Sequence, residues 1–134
     1  MARYGMHTTL NGSFEEVKQK VVEALKAQGF GILSEIDVQQ TLKEKIGLEM
    51  EAYQILGACN PQLASQALET DRSIGLLLPC NVVLREVADG VEVSILDPEV
   101  MFTVADEATQ RQLASLPQEA KARLTRALEA LKEA

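Results

Sequence analysis

The only two cysteines of this chain stand in Cys-Asn dipeptides, each at the end of an apolar run. Cys59-Asn60 closes Tyr53-Gln54-Ile55-Leu56-Gly57-Ala58 and is followed by Pro61, whereas Cys80-Asn81 follows Ile74-Gly75-Leu76-Leu77-Leu78-Pro79. A thiol at the break of a strand can serve as nucleophile, redox centre or soft metal ligand, in each case as the thiolate. Cys59 has a specific reason to ionise. Asn60-Pro61 reads as a helix start, with Asn as N-cap and Pro at the first helical position. The positive end of that helix dipole favours thiolate. The competing reading is a small buried residue sealing the strand against the helix, which is how free cysteine most often behaves. Cys80 carries the same two readings, with Pro79 shaping the chain beside it. Twenty-one positions separate the two. This is not a Cys-x-x-Cys motif, so a dithiol site depends on the fold to bring them together.

The two asparagines have structural roles of their own. Asn60 caps a helix, and Asn81 is expected to hydrogen-bond backbone distorted by Pro79. Cys59, Asn60, Cys80 and Asn81 together are the candidate ligand-binding residues. A structural zinc site wants four Cys or His ligands; the chain offers two Cys and one His, His7, distant in sequence. Two thiolates suffice for Cu(I), so Cys59 and Cys80 are the metal candidates, while His7 reads as a strand surface residue. No cofactor and no catalytic residue are assigned. Gly-x-x-x-x-Gly-Lys, Gly-x-Gly-x-x-Gly and Gly-x-Ser-x-Gly are all missing. Of the carboxylates Glu35, Asp37, Asp97 and Glu99, Asp37 and Asp97 are better explained as caps and turns than as acid–base pairs.

The elements that must position these residues follow from periodicity and punctuation. Met6, Thr8 and Leu10 suggest a first strand. Asn11-Gly12 turns, Ser13-Phe14-Glu15-Glu16 forms a capping box, and Phe14, Val17, Val21 and Leu25 mark one helix face that Gly29 stops. Phe30, Ile32 and Ile36 predict a strand with one apolar face. Asp37-Val38-Gln39-Gln40 reads as a second capping box, and Val38, Leu42 and Ile46 as the buried side of a short helix ended by Gly47. A strand from about Glu51 to Cys59 precedes the helix opened by Asn60, whose apolar face is Leu63, Ala64, Ala67 and Leu68. Ile74 to Val87 reads as one long strand, interrupted by Pro79 at an edge, bulge or kink. Asp89-Gly90 is a two-residue hairpin turn; Val91, Val93 and Ile95 line the return strand, which Asp97-Pro98 ends. Leu113 and Leu116 precede Pro117, and Ala120, Leu124, Leu128 and Leu131 stripe a last helix. This order predicts an α+β fold: a mixed, mostly antiparallel sheet, helices packed on one face in two layers, and a C-terminal helix.

At 134 residues the chain is expected to be a single domain, 1–134, able to fold without disulfide or metal. Without Trp and with 4% aromatics, its core must be aliphatic. The net charge is −7, and residues 29–100 carry four basic groups against twelve acidic ones. No basic patch is visible, which argues against nucleic acid, and no apolar run approaches membrane-spanning length. The N-terminus lacks a signal-peptide core, so the expected location is cytoplasmic, with both thiols reduced.

Taken in order, Gly29-Phe30-Gly31-Ile32-Leu33-Ser34-Glu35-Ile36-Asp37, Leu42-Lys43-Glu44-Lys45-Ile46-Gly47, Tyr53 to Pro61 and Gly75 to Val83 resemble the bacterial and archaeal family called domain of unknown function 302. The resemblance covers about residues 29–99. It implies a small two-layer α+β domain, often a homodimer, and implies no activity. Three functions compete: a cytoplasmic binding domain with a small-ligand or soft-metal site at Cys59 and Cys80, a non-catalytic homodimeric interaction module, and a thiol redox switch or thiol enzyme. The first is the working expectation.

Overall fold

In the computed structural model, which describes residues 2–133, local signals set most of the elements. Strand β1, Gly5–Leu10, leads into helix α1, Phe14–Ala27. The capping box forms as the sequence predicts: Ser13 Oγ accepts from Glu16 N–H at 3.2 Å and Glu16 Oε1 from Ser13 N–H at 3.4 Å. Strand β2 spans Gly31–Asp37 and helix α2 Val38–Ile46; strand β3, Tyr53–Cys59, runs into helix α3, Pro61–Thr70. Strands β4, Cys80–Val87, and β5, Gly90–Leu96, form the hairpin. Short helices α4, Pro98–Phe102, and α5, Glu107–Gln112, precede α6, Ser115–Glu133.

The five strands form one sheet in the order β1-β5-β4-β3-β2, antiparallel at every pairing. Helices α1 and α6 cover one face. Val17, Val21 and Leu25 of α1 and Leu124, Ala127, Leu128 and Leu131 of α6 pack on Leu56, Val82, Leu84, Val93 and Ile95 of the sheet. The α+β, two-layer expectation therefore holds, with a C-terminal helix in the core. A smaller cluster of Ala67, Ile74, Phe102 and Leu113 lies under α3, α4 and α5.

Four expectations need correction. Ile74 to Val87 is not one strand: Arg72–Leu77 is a 3-10 helix and β4 begins only at Cys80. Ile74 and Leu77 stand three residues apart, which puts them on one side of a 3-10 turn. Ile74 and Leu77 join the small cluster while Leu76 faces out. Asp71 starts the turn, its Oδ1 accepting from Ser73 N–H at 2.9 Å. Pro79 thus precedes a central strand and removes nothing from the ladder. Next, Phe30 lies before β2, and Ile32 and Ile36 do not share a face. Ile32 pairs with Ala58 and Ile36 with Ile55, and a bulge at Leu33 between them reverses the alternation. Third, α2 buries nothing; Ile46 is 71% exposed. Asp37 caps it through Gln40 N–H at 2.9 Å, but the Gln40 amide turns to Glu44, so only half the box forms. Finally, the hairpin loop is Ala88-Asp89, with Gly90 already opposite Val87. Among the described residues no helix is long and apolar enough to cross a membrane.

Candidate functional site

The register places the two cysteine segments side by side. Ala58 is the cross-strand partner of Cys80, so the last residues of β3 and the first of β4 meet at one end of the sheet. Asn60 Oδ1 accepts from Leu63 N–H at 3.1 Å and caps α3, and Pro61 takes the first helical position, as the sequence predicts. From there the chain folds over the strand ends through α3, the 3-10 turn and α4 before returning in α6. Between this cover and the sheet lies a cavity of about 50 Å³. Ala58, Cys59, Asn60 and Cys80 line it from the strand ends, with Phe30 beside them. Ala67, Ile74, Phe102, Leu116 and Ala120 close it from the cover.

Three of the four candidate residues therefore line one cavity. Asn81 does not: it is exposed, one position beyond Cys80 along a strand whose side chains alternate. Both cysteines are free, Cys80 buried and Cys59 half-buried. Burial pushes the Cys80 thiol up to about 11, and the neighbouring Cys59 adds to the shift because two thiolates there would repel. Burial also raises Cys59, opposite to the depression expected from the α3 dipole. Cys59 lines the cavity among apolar side chains, which disfavour the charged thiolate. Both thiols are neutral at pH 7, a poor state for a nucleophile. Among the described residues no group of three or more His, Cys, Asp and Glu is placed to hold a metal ion.

The polar groups of the site were less visible in the sequence. Asn60 is only 6% exposed, with Oδ1 taken by the α3 cap; the buried side-chain polar atom left without a partner among the described residues is Gln54 Oε1. Gly29, with φ at 84°, needs glycine for its left-handed backbone and for space. A Cβ there would stand 2.9 Å from Asn60 Nδ2 and 3.3 Å from Arg123 Nη1. Arg123 lies one turn beyond the cavity-lining Ala120 on α6 and uses Nη2 to hold Glu119 Oε1 at 2.9 Å. A charged residue on the last helix gave no spacing signal toward Asn60; only the fold joins them. His7 sits far off, on β1. Its Nε2 donates to the Ala2 carbonyl at 2.9 Å, which leaves Nδ1 to accept from Ser94 Oγ–H at 2.8 Å. Asp97 and Asp37 cap helices, and Asp97 also pairs with Lys121 Nζ at 2.9 Å.

No curated protein matches the chain. A crystal structure of an uncharacterized conserved protein DUF302 from Bacillus stearothermophilus superposes with a TM-score of 0.83 at 26% sequence identity, over 97% of this chain and 99% of that one. The family model described as domain of unknown function DUF302 matches residues 6–131. With the fold and nearly the whole length in agreement, this chain belongs to the DUF302 family.

Proposed function

We propose that the protein is a small-ligand binding domain whose site is the cavity at the Cys59 and Cys80 strand ends, and that the occupant presents an apolar group there. The observation that carries this reading is the lining: two neutral thiols among aliphatic, proline and phenylalanine side chains. Such a space stays dry and takes apolar matter. At about 50 Å³ it has room for a group of about three to five heavy atoms, taking roughly 10–15 Å³ of such space for each water-sized unit. The soft-metal form of the site is the weaker one, because both thiols would have to ionise against burial.

Thermal denaturation with butan-1-ol, and separately with Cu(I) under reducing conditions, tests this. The alcohol should raise Tm and slow labelling of Cys80, and Ala67→Val, which adds two carbons to the cavity wall, should remove both effects. Stabilisation by Cu(I) alone would overturn the apolar reading in favour of the metal.

A second reading, the homodimeric interaction module, is supported by exposed apolar residues on and after the edge strand. Leu33 (70% exposed) and Ile36 (49%) lie on β2, an edge strand, and Ile46 at the end of α2 and Leu48 after it are uncovered. Exposed apolar edge strands attract partners. Sedimentation of the protein and of Leu33→Lys across concentration tests it: a dimer lost in the variant supports the module, and a monomer throughout removes it.

A further inference from the structure

We infer that α3 and the 3-10 turn form a lid over the cavity, latched to α5 by the Thr109–Asp71 hydrogen bond, and that a small apolar ligand passes Ile74 when the latch opens. This rests on the reading of the cavity as a binding site and adds how that site is entered. The cover is made of two chain segments, one before the β4–β5 hairpin and one after it. The first runs through α3 and the 3-10 turn, the second through α4 and α5. Their apolar contact is small: Ala67 and Ile74 meet Phe102 and Leu113. Among the described residues one hydrogen bond joins the two segments. Thr109 Oγ1–H donates to Asp71 Oδ2 at 3.0 Å, across 38 positions of sequence. The other Asp71 oxygen caps the 3-10 turn through Ser73 N–H, and its backbone N–H closes α3 on the Ala67 carbonyl, both at 2.9 Å. One residue therefore ties together the end of α3, the start of the turn and α5. Thr109 is only 6% exposed, and a shielded hydrogen bond to a carboxylate is among the stronger ones.

The junction also carries the way in. On its solvent side a groove of about 180 Å³ runs between the two segments, from Asp71 and Leu77 to Val104 and Asp106. Ile74 lines both this groove and the cavity, and no other described residue does. A single side chain thus separates the ligand site from solvent along this line. A second groove adjoins the cavity at Phe102 and Pro117, but its wall is pinned. Asp97 and Glu99 hold α4 to Lys121 of α6 at 2.9 and 3.7 Å, and Pro117 belongs to α6 itself. The first segment has only the Asp71 latch and its apolar contacts, so it is the part that moves.

The test follows alkylation of Cys80 by iodoacetamide at pH 8, read by peptide mass spectrometry, on the full chain and on Thr109→Val, Thr109→Ser, Ile74→Val and Leu128→Ala. Thr109→Val keeps the side-chain shape and removes the donor, and Thr109→Ser gives the donor back; circular dichroism checks that each variant folds. The rate should rise about tenfold or more in Thr109→Val, the scale of a hydrogen bond to a charged group, and stay within about twofold of the parent in Thr109→Ser. Ile74→Val, which thins the wall between groove and cavity, should also raise it. Leu128→Ala weakens the larger core and should leave the rate unchanged. Equal acceleration in Leu128→Ala would mean that Cys80 is reached by global unfolding and overturns the lid, as does a Thr109→Val rate equal to the parent's. In either case stabilisation of the parent by butan-1-ol would leave the cavity standing as a binding site. Acceleration in Thr109→Val alone, with no stabilisation of the parent by the alcohol, would keep the latch and remove the ligand.

Discussion

Above the ordinary thiol range an unfolded chain ionises its cysteines, whereas the folded protein keeps Cys80 neutral to about 11. Its pKa is raised in the folded state, so between about 9 and 11 the native form binds more protons than the unfolded one. Stability contributed by the neutral thiol is complete below pH 9 and is lost as pH rises toward 11. A gap of two units corresponds to roughly 2–3 kcal/mol. Urea denaturation from pH 8 to 11 should show a decline of that order, and Cys80→Ala should flatten it. The same burial sets the order of chemical labelling: Cys59, half-buried, reacts with a disulfide reagent before Cys80, and both react more slowly than a free thiol at pH 8. Rapid reaction of both without denaturant would contradict the buried-thiol geometry and revive the thiol-enzyme alternative.

Among the elements, those with a local chemical signature were readable from sequence, and those set by distant contacts were not. Ser13, Asn60, Asp97 and Gly47 act at the element ends where they were expected, because capping needs only the neighbouring N–H or carbonyl groups. The bulge at Leu33 has no such signature. One extra residue moves Ile36 to the uncovered face, and a period-two pattern cannot register it. The 3-10 turn at Arg72–Leu77 looked like strand because Leu76, Leu77 and Leu78 run consecutively just after Ile74; it is the packing of Ile74 beneath α4 and α5 that decides. Helix α2 carried a correct helical period with a mistaken burial, since periodicity reports an amphipathic face without reporting what covers it. Substitution separates these cases. Ile46→Ser should change stability by no more than about 0.5 kcal/mol, while Leu128→Ala, at the same stripe logic on a covered helix, should cost about 2–5 kcal/mol. Asn60→Ala should cost about 1 kcal/mol through the lost cap, and Asn60→Asp should recover most of it.

At the scale of the whole molecule the candidate site lies on a seam between two unequal cores. The larger one joins α1, α6 and the inner face of the sheet through fifteen buried residues; the smaller gathers Ala67, Ile74, Phe102 and Leu113 under α3 to α5. The Cys-Asn dipeptides marked this seam in the sequence because the chain breaks there, at the end of one strand and the start of another. Phe102, Leu116 and Ala120 complete the site from elements that no short motif connects. Local opening is easiest where few apolar residues are buried, so the smaller core should open without unfolding of the larger. Amide exchange should then show two classes. Protection in β3, β4, β5, α1 and α6 should track global stability, and that in α3, the 3-10 turn, α4 and α5 should be lower. A ligand seated on the seam binds the closed form and raises the lower class toward the upper. With butan-1-ol present, the amides of α3 should gain protection selectively, and Ala67→Val should abolish the gain while leaving the sheet unchanged. Uniform exchange across both cores would mean that they open as one unit, and a small ligand would then have to reach the cavity without displacing its cover.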